Sequence, residues 1–326
     1  MSENEIVVAD IGGTHARFAV ARVAGGRVQS LGAATTLANA DYATFADAWT
    51  AFTDTLGGPV PRAASIAIAA PVRGSRIKLT NNDWVFAPAD LAGELGLKSA
   101  RLLNDFEAVA YAVAAADAQD MPLLCGPDEP LPRERVISVI GPGTGLGVAL
   151  LVRGNGRDRV LATEGGHIAF APVDEFEDRV LQRLRGRFDR VSAERVVAGS
   201  GLRPIWAVLA QDEGAAPPPD GPDKDLWVQA LSGDDPIAVR AVERFCLSLG
   251  SVVGDIALAH GPGPVVLAGG LGARLRKTIT RSGFARRFVQ KGRYRAMMEQ
   301  VPVRLLALDE PGLLGAAMAH AQEMDV

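Results

Sequence analysis

The sequence predicts an α/β protein of two lobes. Strand-length apolar runs alternate with helical patterns along all 326 residues, and one Gly-Thr loop occurs twice, as Asp10-Ile-Gly-Gly-Thr14 and as Gly141-Pro-Gly-Thr-Gly-Leu-Gly147. Each loop is entered by one apolar run (residues 6–9 and 136–140) and left by another (18–23 and 148–152), so each joins two strands. A shift of 130 positions lays Gly13 on Gly143, Thr14 on Thr144 and Ala19 on Ala149, which reads as one hairpin used in both lobes.

The elements follow in order. After the first hairpin come a strand at 28–31, a helix at 43–56, a buried strand at 65–70, a short strand near Ile77, a helix at 89–95, a strand at 101–103 and a helix from 106 to about 116. The stretch 120–133, rich in Pro, Gly and acidic residues, precedes the second hairpin. Beyond it, 174–187 and 202–211 pattern as amphipathic helices, and 215–222 is a proline-rich surface excursion. Asp235-Pro236 opens a long helix ending near His260, with proline at the first helical position after an acidic cap. A strand at 265–268 runs into Gly269-Gly270-Leu271-Gly272, and a last strand at 301–306 leads to a helix at 312–322. Because that helix follows Glu310-Pro-Gly312, it is expected to fold back on the first lobe. The expected domains are a small one, residues 1–117 completed by about 308–326, and a large one, 118–307, with a cleft between them.

A hydrophobic content of 48% supports a large core, and a net charge of −4 supplies no general attraction for nucleic acid or an anionic membrane. A polyanionic ligand must then be held locally, by backbone dipoles and a divalent cation. The two cysteines, Cys125 and Cys246, are far apart and in no Cys-x-x-Cys pattern, so neither structural zinc nor a disulfide scaffold is expected, and a reducing cytoplasm fits. A strand begins within a few residues of the start, leaving a signal peptide or an appended DNA-binding domain unexpected. The apolar run 245–259 is broken by Gly250, Gly254 and Asp255 and is too short to cross a bilayer; it reads as a buried core helix.

Glycines in the paired loops allow positive φ and close approach of an anion to backbone N–H groups, and a threonine hydroxyl adds a neutral donor. Neither loop contains lysine or spells Gly-x-Gly-x-x-Gly into a helix, so the P-loop and dinucleotide signatures are both absent. The bland alternative is a pair of glycine-rich hairpin turns, which the repetition disfavours. Asn104-Asp105 lies at the end of a strand and before a helix, where a carboxylate is placed either to act on a ligand or to cap the helix. Glu164 and His167 flank Gly165-Gly166, which argues for a turn presenting both to a diol; as a metal site the pair supplies only two ligands. Asp10, beside the first loop, can orient a hydrated Mg²⁺ or pair with Arg17.

Five motifs in order, Ala9-Asp-Ile-Gly-Gly-Thr-His-Ala-Arg17, Leu103-Asn-Asp-Phe106, Gly141-Pro-Gly-Thr-Gly-Leu-Gly147, Thr163-Glu-Gly-Gly-His167 and Leu267-Ala-Gly-Gly-Leu271, resemble the bacterial glucokinases of the actin/hexokinase/Hsp70 ATPase superfamily over nearly the whole chain. The resemblance implies an α/β, two-lobed actin-like ATPase (ribonuclease H-like) fold with a cleft between a smaller and a larger domain. It implies transfer of the ATP γ-phosphoryl group to the 6-hydroxyl of D-glucose, the first step of glycolysis, in a cytoplasmic homodimer that engages neither nucleic acid nor membrane. Asp105 is then the base. Asn104, Asp105, Glu164, His167 and Glu194 bind sugar, Asn104 as both donor and acceptor, and the Thr80-Asn-Asn-Asp-Trp84 loop adds Asn82, with Trp84 either lining the pocket or simply packing. Glu194 has the alternative of a solvated helix residue or capping partner. ATP falls to Ala9, Asp10, Ile11, Gly12, Gly13, Thr14, Gly143, Thr144, Gly145, Gly269 and Gly270, with Asp10 holding Mg²⁺ through water. His15 stands where many relatives carry asparagine, and no change of function is attached to it. Rival readings are an amino-sugar kinase of the same fold, a sugar-responsive repressor, and a non-catalytic actin-like module. The zinc-site cysteines of the related repressor and sugar-kinase family are missing, and an actin-like module has no need of the sugar constellation.

Overall fold

A computed structural model describes residues 4–79, 82–154 and 157–324, so Thr80 and Asn81 of the predicted sugar-side loop lie outside the described residues. The chain divides into two compact units. The first holds residues up to Asp117, Leu151–Ala162 and those from Leu308 on; the second holds Ala118–Leu150 and Thr163–Ala307. The expected division differs at Leu151–Ala162, which it placed in the larger domain; Val160 packs on the first unit's core and Arg153 donates to Ala114 O at 3.4 Å.

In the first unit β1 (Asn4–Ile11), β2 (His15–Ala24), β3 (Arg27–Leu31), β4 (Thr35–Ala38) and β5 (Ala63–Ile68) are followed by a small ribbon of β6 (Ile77–Lys78) and β7 (Val85–Phe86), and by β8 (Ser99–Asn104). The main sheet runs β3-β2-β1-β5-β8, with β4 also pairing to β2. β1 is antiparallel to β2 and parallel to β5, and β5 is parallel to β8. Alternation along β1 sends Val7, Ala9 and Ile11 to one face and Ile6 and Val8 to the other, as a period of two requires. The first face packs on the helix Phe45–Thr53, where Phe18 stacks on Phe52 at 5.0 Å and Phe45 meets Phe86 at 5.0 Å. Thr44 closes that helix with a reciprocal capping box to Asp47. The second face packs on the helices Asp105–Ala115 and Pro311–Met324, the latter folding onto this unit. Trp84 is buried in the aromatic core and donates to Tyr42 O, a packing role.

The second unit contains β9 (Leu123–Cys125), β10 (Arg135–Pro142), the start of β11 (Leu146–Gly154), β13 (Val265–Leu267) and β14 (Val303–Leu305), with β12 (Arg157–Thr163) completing the order β12-β11-β10-β13-β14-β9. Read from β3 and from β12, the two sheets have the same order: hairpin strands first, then a strand parallel to the first of the pair, then another. The repeat seen at the Gly-Thr loops thus extends through the whole sheet. β9 lies inside the stretch 120–133 that patterned only as a turn-rich lead-in; three apolar residues become a strand because β14 offers them an edge.

The long helix is Pro236–Ala259, capped by Asp235 through the N–H groups of Ile237 and Ala238. Its glycines are packing devices. A Cβ on Gly250 would lie 2.4 Å from Phe284 O, and one on Gly254 2.4 Å from Phe288 O, so the pair lets the helix Phe284–Val289 approach closely. Among the described residues no helix is long and apolar enough to cross a membrane.

Candidate active site

The first unit gathers its candidate residues at the carboxyl ends of its parallel strands, the edge where α/β sheets bind ligands. Register sets Ile11 beside Ile68 and Ile68 beside Asn104, so the loops leaving β1 and β8 open together. Asp105 begins the helix Asp105–Ala115, but the cap is Asn104, whose Oδ1 accepts from Phe106 N–H at 2.9 Å and Glu107 N–H at 3.2 Å. Its Nδ2 donates to Ala70 O at 3.2 Å. Both lone pairs of the Asn104 amide oxygen are thereby occupied, which corrects the expectation of a two-way sugar ligand: what Asn104 retains is donor capacity at nitrogen. One Asp105 oxygen accepts from Phe106 N–H at 2.8 Å, which orients the carboxylate.

Asp10 faces Arg17 across the β1–β2 register. Arg17 Nη1 lies 3.8 Å from Asp10 Oδ2 and its Nε 3.4 Å from Glu310 Oε2. Burial pushes the Asp10 carboxyl up from 3.8 to about 6; the charge of Asp105 adds to this, Arg17 opposes it, and Glu310 adds again. The first turn of the helix Pro311–Met324 covers it closely, since a Cβ on Gly312 would fall 2.5 Å from the Asp10 carboxylate. Arg17, Glu310 and Gly312 were not singled out as site residues from sequence; the Asp10–Arg17 register is the signal that points to the first.

A carboxyl whose pKa is higher folded than unfolded favours the folded state at low pH, and that contribution is lost as pH rises from about 4 through about 6. Asp10→Asn should therefore raise stability at pH 8 by about 2 kcal/mol, the cost of holding a largely buried charge, while leaving it nearly unchanged at pH 3.5. Thermal unfolding of both proteins across pH 3.5–8 checks this, and an equal difference at every pH would refute it.

None of Gly12, Gly13, Gly143 and Gly145 sits at positive φ, which corrects the expected reason for glycine in these loops. A Cβ on Gly143 would meet nothing nearer than 3.9 Å, and one on Gly12 would lie 3.5 Å from His15 O. Gly145 has a steric reason, since a Cβ there would lie 2.6 Å from Glu194 Oε2. Thr14 and Thr144 are both exposed, and Thr14 Oγ1 is 3.0 Å from His15 Nδ1.

The second unit builds its cluster around Leu146, the first residue of β11. Leu146 N–H donates to Glu194 Oε2 at 2.9 Å, and a Cβ on Gly166 would strike Leu146 O at 2.0 Å. Gly165–His167 forms a single 3₁₀ turn pressed against β11, as the two glycines imply. His167 stands between two carboxylates, Nε2 3.8 Å from Glu164 Oε2 and Nδ1 3.9 Å from Glu194 Oε1. Glu194 opens the helix Glu194–Val197, yet its carboxylate is spent on β11 rather than on its own helix. Gly269 takes φ +85°, and a Cβ there would lie 3.1 Å from Pro142 O, so the glycine turn sits against the second Gly-Thr hairpin. Asn82, in the first unit, closes a turn through Oδ1 to Trp84 N–H.

Glu194→Gln keeps an acceptor for Leu146 N–H but removes the charge beside His167. Its expected result is thermal stability within about 1 kcal/mol of the parent, because the acceptor for Leu146 N–H is kept. Differential scanning calorimetry checks this, and a loss well beyond that value would refute it.

The glucokinase family model matches residues 7–323. A glucokinase of Zymomonas mobilis subsp. mobilis is 52% identical over 319 residues, 98% of each chain. The crystal structure of a glucokinase from an Antarctic psychrotroph matches at a TM-score of 0.84 and 31% identity, over 97% of this chain and 98% of its own. That of a Balamuthia mandrillaris glucokinase in complex with glucose shares the fold at a TM-score of 0.77 and 19% identity, over 98% of this chain and 94% of its own. The neighbours fix the fold as that of the actin-like ATPases, and with the repeated sheet, the paired Gly-Thr hairpins and a match through both units, the chain belongs to the glucokinase family.

Proposed function

We infer that this protein transfers the γ-phosphoryl group of ATP to the 6-hydroxyl of D-glucose, giving glucose 6-phosphate and ADP. The observation that carries the reading is the division of labour at Asn104-Asp105. Asn104 caps the helix through Phe106 and Glu107 N–H, and Asp105, the first residue of that helix, accepts from Phe106 N–H with one oxygen, which orients at the carboxyl edge of the sheet a carboxylate suited to accept a hydroxyl proton while the oxygen attacks phosphorus. Glu164, His167 and Glu194 bind sugar hydroxyls; the carboxylates accept, and a neutral imidazole accepts at one nitrogen and donates at the other. Asn104 and Asn82 contribute amide N–H donors. Thr14, Thr144 and the backbone of Gly12, Gly13, Gly143 and Gly145 bind the phosphates, Ala9 and Ile11 flank Asp10 there, and Gly269 and Gly270 leave room for the purine.

Mg²⁺ fits the first unit. Among the described residues no group of three or more His, Cys, Asp or Glu forms a cage, and Mg²⁺ commonly keeps several waters, bound through one or two carboxylates plus phosphates. Burial first, and then the charges of Asp105 and Glu310, disfavour the ionised Asp10 carboxylate, and a cation would relieve both effects, so Asp10 would hold it through water. When bound, Mg²⁺ neutralises charge on the phosphates. A cytoplasmic homodimer completes the reading, in keeping with two cysteines that are both free thiols.

The test is a coupled assay of ATP-dependent phosphorylation across glucose, mannose, fructose, N-acetylglucosamine and N-acetylmannosamine. Glucose is expected to give the highest kcat/KM. ADP release that no sugar stimulates, or a preference for an amino sugar, would overturn the reading.

A further inference from the structure

We propose that Asn39 is a positioning residue for the nucleotide, locking the orientation of the Gly12–Gly13 peptide from beneath the first Gly-Thr loop. The proposal rests on the reading of that loop as a phosphate cradle. Asn39 begins a short 3₁₀ turn after β4 and is 4% exposed, although asparagine is mostly a surface residue. It makes two bonds to the loop: its backbone N–H donates to Thr14 O at 2.9 Å and its side-chain Nδ2 donates to Gly12 O at 2.9 Å.

The side-chain bond has a directional consequence. In a planar trans peptide the C=O of one residue and the N–H of the next point in opposite directions. Drawing Gly12 O toward buried Asn39 therefore turns the Gly13 N–H away from the core, toward the exposed side of the loop where Thr14 lies. If that peptide rotated, a carbonyl oxygen would replace an N–H at the phosphate surface and repel the anion it should bind.

The second loop is also pinned, by a backbone donor and one position further along, since Gly143 corresponds to Gly13. Gly199 N–H donates to Gly143 O at 2.8 Å, which by the same geometry turns Thr144 N–H the other way. In both copies a carbonyl of the Gly-Thr loop is pinned by a donor from another segment. Only in the first is the donor a side chain, and only there does one substitution remove it. The other end of that side chain, Oδ1, is buried and has no hydrogen-bond partner within the protein. An unpaired buried acceptor costs stability, so a position held for packing alone would be better served by an apolar residue.

Asn39→Ala removes the donor. Asn39→Asp keeps size and shape but sets an acceptor against Gly12 O and a negative charge under the phosphates. Both are compared with the parent by calorimetric titration of ADP, by calorimetric titration of glucose, and by steady-state kinetics. The expected result is an order of loss, with ADP affinity and KM for ATP worse by about 10-fold in Asn39→Ala and more in Asn39→Asp, and with glucose affinity within 2-fold of the parent. ADP affinity within 2-fold of the parent in both variants overturns the proposal, as does an equal loss of ADP and glucose binding. Failure of both variants to fold also overturns it, since Asn39 would then be structural. Nucleotide titration does not need turnover, so a parent that binds ADP without phosphorylating glucose would refute the kinase reading and still test Asn39.

Discussion

Asp105→Ala is expected to lower kcat by roughly 10²- to 10⁴-fold, the usual worth of a positioned general base, with KM for ATP and for glucose changed far less. The structure separates this from a folding effect. A capping aspartate would cost about 1 kcal/mol on truncation, but Asn104 supplies the cap through Phe106 and Glu107 N–H. Thermal stability of Asp105→Ala should therefore stay close to that of the parent, and Asn104→Ala should be the variant that loses stability. Turnover and unfolding measured on the two proteins decide between the roles. A variant at position 105 that turned over normally, or that lost stability and activity together, would remove Asp105 from catalysis.

Gly315→Ala is expected to cost roughly 3 kcal/mol of stability, at the upper end of what overpacking does. Gly315 lies where the helix Pro311–Met324 crosses the helix Asp105–Ala115, and a Cβ there would fall 1.7 Å from Ala108 O. A backbone oxygen has no rotamer to move to, so the helices must separate. Because one of them carries Asp105 at its first turn, activity should fall with stability. Gly58→Ala, where a Cβ meets nothing within 4 Å, is the control expected to be neutral. Differential scanning calorimetry on both variants checks the claim; equal unfolding temperatures would contradict it.

Much of the fold was legible because its signals are local. The paired hairpins, the proline after Asp235 and the alternation along β1 each declare themselves within a few residues. What the sequence withheld is set by register and by partners distant in the chain. Asp10 and Asp105 are far apart in sequence, and only the β1–β5–β8 pairing brings the ends of their strands together. Asn104 and Asp105 are both good capping residues, so nothing in the chain said which would cap. Leu123–Cys125 is a strand only because β14 lies beside it. Asn39 belongs to no motif and is identified by burial and two hydrogen bonds alone. The glycines of the loops were read as left-handed, which Gly12, Gly13, Gly143 and Gly145 are not.

The helix Pro311–Met324 also bears on how the molecule is made. The face of the first sheet formed by Ile6 and Val8 is covered by Leu313, Ala316, Ala317 and Ala321. Synthesis proceeds from the N-terminus at about 5–20 residues per second, so the strands that emerge first have only the helix Asp105–Ala115 on this face until residues 311–324 have been translated. During that interval the second unit can already close on its own residues. The first unit is thus the later of the two to complete its core, closing only when the helix Pro311–Met324 docks on its sheet.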